Sequence, residues 1–583
     1  MGKISLAQYL FTRLRQNRVK YMHGVPGDFT LKALDYLKPA GLQWINSCNE
    51  LNAGYAADGY ARVNGMGALF TTYGVGELSA INAIAGSFAE HVPVVSIVGT
   101  PQRQLQRQRL NVHHTLGDGR PRVFAEMAKH VTAAQAHLFD ENEAPEMIDE
   151  VLTTCLRNSQ PVYIDLPCDM VAKEVPASRL DVPLNGNSAI SKSVRTTEAL
   201  LTKIHQRLQN SKQPLLLIDS GHGVRGLSKD INSFAEKSGI PTLAMPSGNG
   251  MVSHSLKNFY GVHSGPVGRI DTMPYVGASD LVISIGGMFS DTQTLGWQVV
   301  PDENNMIVMH KDSIRIPGEP TAKIALERFL PALTESITPD TWNRPDATSL
   351  GNFRDFRPTI KDANDHIDQE NFYLYLNEHL RQHDIVLLAN ATPILGGRDL
   401  ILPESSRTIA SGQWFSIGHM LPAAQGAALA QWQSRKDADR LNRSTTDVGR
   451  TILLDGDGSF QATAQELSTV IRYRIPLTIF IVNNSGYAYE RHIHGLEEDY
   501  NNLAPWRYSE SPFWFGARDK SQEWSDYPVS TAKVETWSDL GHVLNNQRFT
   551  DPRGLKLIEV IIGKYDVPTK FEQVFKAAGE KLG

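Results

Sequence analysis

The stretch Gly456-Asp457-Gly458-Ser459 stands between two short apolar segments and decides the fold class of this part of the chain. The segments Thr451–Leu454 before it and Leu477–Val482 after it have the length and apolar character of buried strands. Between them, apolar residues recur at helical spacing over 460–471 and predict one amphipathic helix. The order strand, helix, strand predicts a βαβ unit of a parallel α/β sheet.

This predicted unit carries oxygen ligands at the carboxyl ends of both strands, where open α/β sheets bind ligands. Asp457 follows the first strand, and Asn484 follows the second. Gly456 and Gly458 permit a tight turn, and the amides that open the next helix can receive a phosphate. A carboxylate oxygen and an amide oxygen together suit Mg²⁺ shared with phosphate oxygens. The residues therefore predict a diphosphate–metal site, against the alternative that Gly-Asp-Gly is an ordinary turn.

Composition indicates an ordinary globular protein. The chain has 583 residues, 41% of them hydrophobic and 21% charged, and this length is too great for one hydrophobic core. A net charge of −6 argues against nucleic acid as a partner. No apolar run approaches the roughly 20 residues that cross a bilayer, and the first residues predict an amphipathic helix instead of a secretion signal. The three cysteines lack CxxC spacing and are expected to be reduced, so we expect a cytoplasmic protein without a membrane partner.

Alternating strands and helices predict an α/β fold of three α/β sandwich domains with mostly parallel sheets. We expect domains at residues 1–180, 195–345 and 365–583, with linkers at Ala177–Ser191 and Asn343–Asp362. Further strands are predicted at Pro161–Pro167, Pro214–Asp219, Leu281–Ile285 and Asp384–Ala389. The middle domain has no GxGxxG that opens a helix, so we expect a structural role there and no bound nucleotide.

Motifs throughout the chain resemble those of thiamine-diphosphate-dependent 2-keto acid decarboxylases, in the pyruvate, indolepyruvate and phenylpyruvate decarboxylase branch. Besides Gly-Asp-Gly and Asn-Asn, they are His-Gly-Val-Pro-Gly-Asp-Phe at 23–29, the Asn-Glu-Leu-Asn segment at 49–62, Thr-Tyr-Gly-Val-Gly-Glu-Leu-Ser at 72–79, Ala-Glu-His-Val-Pro at 89–93 and His-His-Thr at 113–115. The resemblance covers essentially the whole chain. It implies thiamine diphosphate and Mg²⁺ as cofactors, and it makes the three domains an aminopyrimidine-binding, a structural or regulatory, and a diphosphate-binding domain.

The resemblance also implies which residues bind the cofactor. Glu50 would hydrogen-bond N1′ of the aminopyrimidine and help to remove the C2 proton of the thiazolium, although such a Glu alone is more often a helix-start charge. Ile417 would support the bend of the cofactor, although its residue type alone favours plain core. The carbonyl of Phe415 would accept from the 4′-amino group. The diphosphate and metal would be held by Thr392, Asp457, Gly458, Ser459, Asn484 and Gly486, of which Asp457, Asn484 and the Gly486 carbonyl are the implied metal ligands.

Proton handling is implied for Asp28, His113, His114 and Glu490. Protonation of the reacting carbon and release of the aldehyde both need acids and bases within hydrogen-bond reach. Glu490 would lie over the reacting carbon and share a proton with Asp28. In this family the two halves of each site come from different subunits, so the resemblance implies a homodimer at least, and a homotetramer as the assembled form.

The predicted substrate pocket departs from the family pattern. Pyruvate decarboxylases read Gly-Tyr-Thr-Ile-Glu where this chain reads Gly-Tyr-Ala-Tyr-Glu, so Tyr489 replaces an aliphatic residue. Thr292 stands where pyruvate-specific members carry an aromatic residue, and Asn-Ala-Thr-Pro-Ile ending at Ile394 replaces a Thr-Gly-Thr-Ser run. With Ile493 as a further wall, these changes favour a 2-keto acid bulkier than pyruvate, aromatic or branched.

Two other functions stay open. A carboligase (acyloin synthase) would join the decarboxylated fragment to an aldehyde or a second keto acid, and the residues do not separate it from a decarboxylase. A non-catalytic, cofactor-binding paralogue would have no physical reason to keep Glu50, Asp28, the His pair and Glu490.

Overall fold

The computed structural model describes residues 2–184, 194–338, 342, 345–440, 449–518, 526–568 and 570–572. The chain divides into two compact units. The first unit contains Met1–Ser188, Gly418–Thr445 and Thr463–Ile475, and the second contains Ala189–Ile417, Thr446–Ala462 and Pro476–Gly583. No helix among these described residues is both long and apolar enough to cross a membrane.

The first unit is built on a parallel sheet. Its strands are β1 (Lys3–Ser5), β2 (Tyr21–Gly24), β3 (Gln43–Asn46), β4 (Gly67–Thr72), β5 (Val94–Thr100), β6 (Gln135–His137), β7 (Val162–Pro167) and β8 (Glu174–Pro176). Six of them form a parallel sheet in the order β3-β2-β4-β5-β7-β6, and β1 pairs antiparallel with β8. The strand order reverses between β2 and β4, so their carboxyl ends flank a point where such sheets bind ligands.

The second unit contains two sheets. The strands of the first are β9 (Pro214–Ile218), β10 (Thr242–Ala244), β11 (Phe259–Val262), β12 (Leu281–Ile285), β13 (Met306–His310), β14 (Ser313–Arg315) and β15 (Ala322–Lys323). The strands of the second are β16 (Ile385–Leu388), β17 (Arg407–Ala410), β18 (Thr451–Gly456), β19 (Leu477–Asn483), β20 (Val529–Val534) and β21 (Leu555–Ile561). The first has the order β11-β10-β9-β12-β13-β14-β15, in which β14 and β15 pair antiparallel, and the second is parallel in the order β17-β16-β18-β19-β21-β20. The predicted α/β class with mostly parallel sheets is confirmed.

Helices flank these sheets. They are α1 (Leu6–Gln16), α2 (Leu31–Leu34), α3 (Glu50–Asn64), α4 (Val75–Ala89), α5 (Arg103–Arg107), α6 (Val123–Ala128), α7 (Ala144–Asn158), α8 (Val194–Asn210), α9 (Ser228–Ser238), α10 (Met273–Ala278), α11 (Asp291–Thr294), α12 (Leu326–Ser336), α13 (Gln369–Leu376), α14 (Thr392–Gly396), α15 (Met420–Arg440), α16 (Asp457–Thr463), α17 (Glu466–Arg472), α18 (Ala488–Ile493), α19 (Ser511–Trp514), α20 (Trp537–Asn545) and α21 (Gln547–Thr550). Along β9, Leu215 and Leu217 join one apolar cluster while Leu216 and Ile218 join another. Alternate side chains therefore bury both faces of the sheet, which explains the uninterrupted apolar runs.

The predicted single helix over 460–471 is wrong. The structure has two helices there: α16 ends at Thr463, and α17 begins at Glu466. The Thr463 hydroxyl donates to the Gly418 carbonyl at 2.8 Å, and the chain passes from the second unit to the first between Ala462 and Thr463, at the end of α16. Apolar residues such as Phe460 and Leu467 are buried in both helices, so the apolar periodicity continues across the break and conceals it.

The two predicted linkers are only partly described. Residues 185–191 of Ala177–Ser191 and residues 343 and 344 of Asn343–Asp362 lie outside the described residues. The described part of the second linker buries Leu350 and Phe353 in apolar clusters of the second unit. That segment therefore packs on the sheet containing β9, although its polar sequence gave no sign of this.

Helices α3 and α15 of the first unit approach each other at glycines. A Cβ on Gly59 would lie 2.0 Å from the carbonyl oxygen of Ala423, and a Cβ on Gly426 would lie 1.9 Å from that of Ala56. Only residues without a side chain allow this separation of the two backbones. Because α3 begins at Glu50, this contact also fixes the helix that carries a predicted catalytic residue.

Buried charges hold the same two helices. The carboxylate of Asp58 on α3 accepts from Arg62 Nε at 2.6 Å and from Ser87 Oγ at 2.8 Å, and it lies 3.1 Å from Nε2 of His419, the residue before α15. Each of these side chains is buried, so the charge of Asp58 needs these partners. Burial alone would raise the pKa of the Asp58 carboxyl, but the opposite charge of Arg62 and the hydrogen bond from His419 outweigh it. The pKa of Asp58 is therefore below its usual range.

Gly426→Ala is expected to lower the thermal unfolding temperature of the protein. The added methyl overlaps the Ala56 carbonyl, and overpacking of this kind costs about 1–3 kcal/mol, more than the roughly 1 kcal/mol that Ala gains over Gly in a helix. Gly277→Ala is the matched control, because a Cβ on this glycine of α10 would meet nothing within 4 Å. Thermal unfolding followed by circular dichroism measures both. An unfolding temperature for Gly426→Ala as high as that of the control would contradict the close helix contact.

Candidate active site

In the first unit, three predicted proton-handling residues lie together. His113 Nε2 is 2.8 Å from Asp28 Oδ2. The His113 ring stacks on Phe29 with centroids 5.0 Å apart, and it meets the His114 ring edge-on at 4.6 Å. Asp28, His113 and His114 each offer one possible ligand atom, and these three atoms lie within 4.8 Å of one another. The side chains of Asp28 and His113 are about half exposed, so a ligand can reach them.

Glu50 lies beside a turn that also contacts this cluster. It is the first residue of α3, whose amino end is capped by the Asn49 side chain accepting from the Asn52 amide at 2.8 Å. A Cβ on Gly76 would lie 3.1 Å from Glu50 Oε1, and a Cβ on Gly74 would lie 2.1 Å from the His114 carbonyl oxygen. Gly74 also has φ 64°, which favours glycine. The turn after β4 therefore brings Glu50 and the His pair to one edge of the sheet.

A buried acid near the start of α3 was not predicted. Glu466 Oε1 accepts from Ser47 Oγ at 3.4 Å, and burial raises the pKa of Glu466 to about 7. This residue comes from α17, more than 400 positions along the chain from Ser47. The only sequence signal was an acid inside an apolar helical pattern.

In the second unit, the predicted metal ligands form one loop system. Asp457, the first residue of α16, accepts from the amide of Gly458 at 2.8 Å through Oδ1 and from the amide of Gly486 at 3.0 Å through Oδ2. Asn484 follows β19, which pairs directly with β18, and its side chain is buried. The carboxyl ends of these two strands therefore place Asp457 beside the loop that contains Asn484 and Gly486, as the sequence predicted.

The same sheet reverses its strand order between β16 and β18, and polar residues follow both strands. Asn390 follows β16, and both polar atoms of its side chain are buried without a hydrogen-bond partner among the described residues. Thr392 begins α14 and is buried, as is Ser459 on α16. Burial raises the pKa of Asp455, on β18 just before α16, to about 7. Thr392 and Ser459 thus flank a switch point that also holds an unsatisfied amide.

These residues fit a metal-bound diphosphate. Burial raises the pKa of Asp457 to about 6, and the opposing influences are backbone amides, none of them a cation. A divalent ion would supply the missing positive charge beside this carboxylate. A Cβ on Gly456 would meet nothing within 4 Å, so there is open space at the turn. The carboxylate, the open turn and the orphaned Asn390 amide together match an anion with its metal.

Arg491 hydrogen-bonds residues that contact the predicted metal loop, and it was not predicted from the sequence. Its Nη2 donates to the Asn501 carbonyl at 2.9 Å and to Asn502 Oδ1 at 2.7 Å, and the side chain is 1% exposed. A Cβ on Gly486 would lie 2.2 Å from that same Asn501 carbonyl, with φ 151° at Gly486. Arg491 follows Glu490 directly, but nothing in the spacing shows that it turns inward.

Phe415 and Ile417 lie on an irregular segment. Phe415 has φ 55°, an uncommon conformation for an aromatic residue, and its amide donates to Ser411 Oγ at 3.0 Å. Ile417 is 47% exposed. Its side chain is therefore not ordinary core, the interpretation that residue type alone favoured, and it is available to contact a ligand.

The predicted pocket residues surround one end of the core of the second unit. Ile394 is buried in the apolar cluster of the β16–β21 sheet, and Tyr489, Ile493 and Phe415 pack against that cluster. The Thr292 hydroxyl donates to the Gly412 carbonyl at 2.9 Å. Burial raises the pKa of Tyr489 above its usual value.

Glu490 shares helix α18 with two of these pocket residues. The helix begins two residues after Gly486 and carries Tyr489, Glu490 and Ile493. Partial burial raises the pKa of Glu490, which favours its protonated form. The structure therefore brings a carboxyl group able to donate a proton next to the predicted metal loop and pocket.

Comparison with known families and proteins accounts for this arrangement. Residues 4–119 match the thiamine pyrophosphate enzyme N-terminal TPP binding domain, residues 201–333 match the central domain, and residues 398–520 match the C-terminal TPP binding domain. These three matches follow the predicted order of cofactor-binding, central and cofactor-binding segments.

Full-length relatives agree. A pyruvate decarboxylase of Aspergillus parasiticus is 40% identical over 97% of this chain and 96% of its own length. Pyruvate decarboxylases of Aspergillus fumigatus and Aspergillus terreus are 36% and 35% identical, each over 99% of this chain and 97% of its own length. Three domain matches in order and relatives this similar from end to end show that the chain belongs to the thiamine-diphosphate-dependent 2-keto acid decarboxylase family.

Proposed function

We propose that this chain converts a 2-keto acid to an aldehyde and CO₂ without oxidation, using thiamine diphosphate and Mg²⁺. The observation that carries the proposal is the cluster of Asp28, His113 and His114 beside the turn that contacts Glu50. Four acid–base groups from three separate segments have no structural reason to converge at a half-exposed sheet edge. The names of the relatives, pyruvate decarboxylases, support the same reaction class.

The family resemblance indicates which residues would hold the cofactor. Asp457, Asn484 and the Gly486 carbonyl would bind Mg²⁺, while Gly458, Ser459 and Thr392 would contact the diphosphate. Glu50, Phe415 and Ile417 would bind the remainder, through a carboxyl, a carbonyl and an exposed apolar side chain respectively. When bound, thiamine diphosphate supplies the carbanion chemistry that removes CO₂.

The proton steps would be carried by the chain itself. Glu50 would exchange a proton with the aminopyrimidine N1′. Glu490, whose pKa is raised, would hold a proton near the reacting carbon, and the hydrogen-bonded pair Asp28–His113 with His114 would take up and return protons as the aldehyde leaves. Each role requires only that the group be within hydrogen-bond reach of a proton in transfer.

A panel of 2-keto acids tests the reaction and its alternatives. Pyruvate, 2-ketoisocaproate, phenylpyruvate and indolepyruvate would be assayed for CO₂ and aldehyde with both cofactors, with and without an acceptor aldehyde. A decarboxylase yields equal amounts of CO₂ and aldehyde, whereas a carboligase yields CO₂ and an acyloin. Cofactor binding without CO₂ from any substrate would indicate the non-catalytic paralogue.

We also propose a preference for a 2-keto acid bulkier than pyruvate. Tyr489 and Ile493 pack against the apolar cluster that contains Ile394. Thr292 has a small side chain, and its hydroxyl donates to the Gly412 carbonyl. The pocket would thus have space at Thr292 and an aromatic wall at Tyr489. An aromatic or branched side chain fills such an apolar space better than a methyl group does.

Tyr489→Ile is expected to change the ratio of kcat/KM for pyruvate to that for phenylpyruvate by about 10-fold, in favour of pyruvate. The substitution removes the phenol and restores the aliphatic residue of the pyruvate decarboxylases. Tyr500→Ile is the matched control, because Tyr500 lies nearby but is 62% exposed. Equal changes for both substrates in Tyr489→Ile would show that Tyr489 supports the Glu490 helix and does not select the substrate.

We propose further that the active form is at least a homodimer, assembled as a homotetramer, with each site shared between subunits. Support comes from the family and from predicted cofactor residues that divide between the two units. Three domains at 1–180, 195–345 and 365–583, and a cytoplasmic location, complete the proposal. The three cysteines, Cys48, Cys155 and Cys168, form no disulfide in the described part of the chain, which suits a reducing compartment.

Co-expression of Glu50→Gln with Asp457→Ala is expected to restore about a quarter of wild-type activity, although each variant alone is inactive. In a mixed dimer with shared sites, one site collects both substitutions and the other collects neither. Random pairing makes about half of the dimers mixed, and each has one intact site of two. If each site used a single chain, co-expression would restore nothing. As a control, the two variants are expressed separately and mixed after folding. Without subunit exchange no mixed dimers form, so this mixture should remain inactive.

A further inference from the structure

A cavity of about 140 Å³ lies within the second unit. Its wall is mostly apolar and includes the rings of Tyr260, Phe353, Phe356 and Phe571 with the aliphatic side chains of Ile270 and Leu395. None of the residues predicted to bind cofactor, metal or substrate is among its lining residues. A cavity of about 150 Å³ can hold a benzene ring, so this space suits a ligand of that size.

Arg398 also lines the cavity and is incompletely satisfied. Its Nε and Nη1 are buried and have no hydrogen-bond partner among the described residues. Its Nη2 makes a long 3.5 Å bond to the Thr292 carbonyl, and its guanidinium carbon lies 5.3 Å from the centroid of the Phe571 ring. Asp399 and Tyr489 lie close enough to act on it electrostatically without hydrogen-bonding these two nitrogens. Buried charged groups without partners are costly, so the two free nitrogens of the guanidinium call for an acceptor.

The carboxylates near Arg398 are committed elsewhere. Arg269 Nε binds Asp399 at 2.8 Å, and its Nη1 binds Glu370 at 3.1 Å. Lys570, an exposed third cation of the wall, donates to the Gly268 carbonyl at 2.6 Å. The described lining thus has three cations against two carboxylates, while burial lowers the pKa of His254 to about 3 and keeps it neutral. One negative charge is missing.

A second unsatisfied donor belongs to the same wall. The Ser264 hydroxyl is buried, with the residue 1% exposed, and it has no partner among the described residues. A guanidinium presents paired N–H groups in a planar fork that matches the two oxygens of a carboxylate, and a hydroxyl can donate to a third lone pair. The missing charge, the donors and the aromatic wall describe one kind of ligand.

We propose that this cavity binds a compact apolar monocarboxylate, with its carboxylate on Arg398 and Ser264 and its apolar body against the aromatic rings. A dianion would exceed the single missing charge, and a neutral ligand would leave the guanidinium unpaired. The size of the cavity limits the apolar body to about one six-membered ring. Arg398 connects this site to the predicted substrate pocket through its bond to the Thr292 carbonyl, but the ligand takes no part in the proposed reaction.

Benzoate is a suitable probe, with benzamide as a neutral molecule of the same shape and acetate as an anion without the ring. Isothermal titration of the protein saturated with thiamine diphosphate and Mg²⁺ is expected to show benzoate binding at least 10-fold more tightly than either control. Arg398→Met should abolish the preference for benzoate over benzamide, and Ser264→Ala should weaken benzoate binding severalfold. Arg328→Met, which removes an exposed cation of α12 in the same unit, should leave binding unchanged.

A crystal structure with benzoate checks the location without relying on variants that could fail to fold. Density for the ring between Phe353 and Phe571 with the carboxylate at Arg398 would support the proposal. Benzoate in the cofactor cleft, equal affinity for benzoate and benzamide, or unchanged benzoate binding in folded Arg398→Met would each overturn it.

Discussion

Glu50→Gln should slow exchange of the C2 proton of bound thiamine diphosphate by at least about 100-fold, because proton transfer by a positioned acid or base contributes roughly 10²–10⁴-fold. The amide has nearly the same shape as the carboxyl group, and the helix start is unchanged, since the Asn49 cap does not involve the Glu50 side chain. The cofactor should therefore stay bound while the proton step fails. Transfer into deuterated buffer, acid quench and NMR of the released cofactor measure the exchange rate.

Glu146→Gln provides the control for this experiment. Glu146 is an exposed acid in the first turn of α7, so its substitution removes one helix-start charge without touching the sheet edge that holds Glu50. Exchange in this variant should equal that of the wild type. Wild-type exchange in Glu50→Gln as well would exclude Glu50 from the proton step and leave it the helix-start charge that its position alone suggests.

The features that sequence predicted well are those set by local pattern. Asp457 and Asn484 were expected at neighbouring strand ends, because apolar runs and glycines mark where a parallel strand stops. The structure gives β18 and β19 as neighbours, with Asp457 bonded to the Gly486 amide. Here the direction of parallel strands fixes the geometry, so a correct strand assignment is sufficient to place the side chains.

The features that sequence missed depend on distant packing. The break between α16 and α17 falls next to the point where the chain passes from the second unit to the first, although the apolar spacing continues through it. Arg491 is buried because it donates to the carbonyl of Asn501 and to the amide oxygen of Asn502. Glu466 accepts a hydrogen bond from Ser47, which lies more than 400 positions earlier in the chain. Such partners have no fixed separation in sequence, so periodicity carries no information about them.

Ile417 illustrates a case between these two. Its residue type favours the core, and only the family resemblance assigned it to the cofactor. The structure leaves it 47% exposed on a segment where Phe415 has a positive φ. An apolar side chain presented in this way supports the proposed contact with the cofactor, and neither spacing nor hydropathy could have distinguished it from a buried isoleucine.

Asp457→Ala should abolish the thermal stabilisation that thiamine diphosphate and Mg²⁺ give the wild-type protein. A ligand present at about 100 times its Kd stabilises the folded state by about 2.7 kcal/mol, and this increment disappears when binding is lost. Asp457 is the only carboxylate among the proposed metal ligands, so without it the diphosphate charge would be poorly neutralised. The loss should exceed the effect of any single amide ligand.

Thermal unfolding with and without the two cofactors measures this loss directly, and Asp355→Ala, an exposed substitution in the same unit, should retain the full increment. The wild type with thiamine diphosphate and a chelator should show as little thermal stabilisation as Asp457→Ala, because the metal would be absent in both. If cofactors stabilise Asp457→Ala as much as the wild type, the metal lies elsewhere and the assignment of this loop to the diphosphate fails.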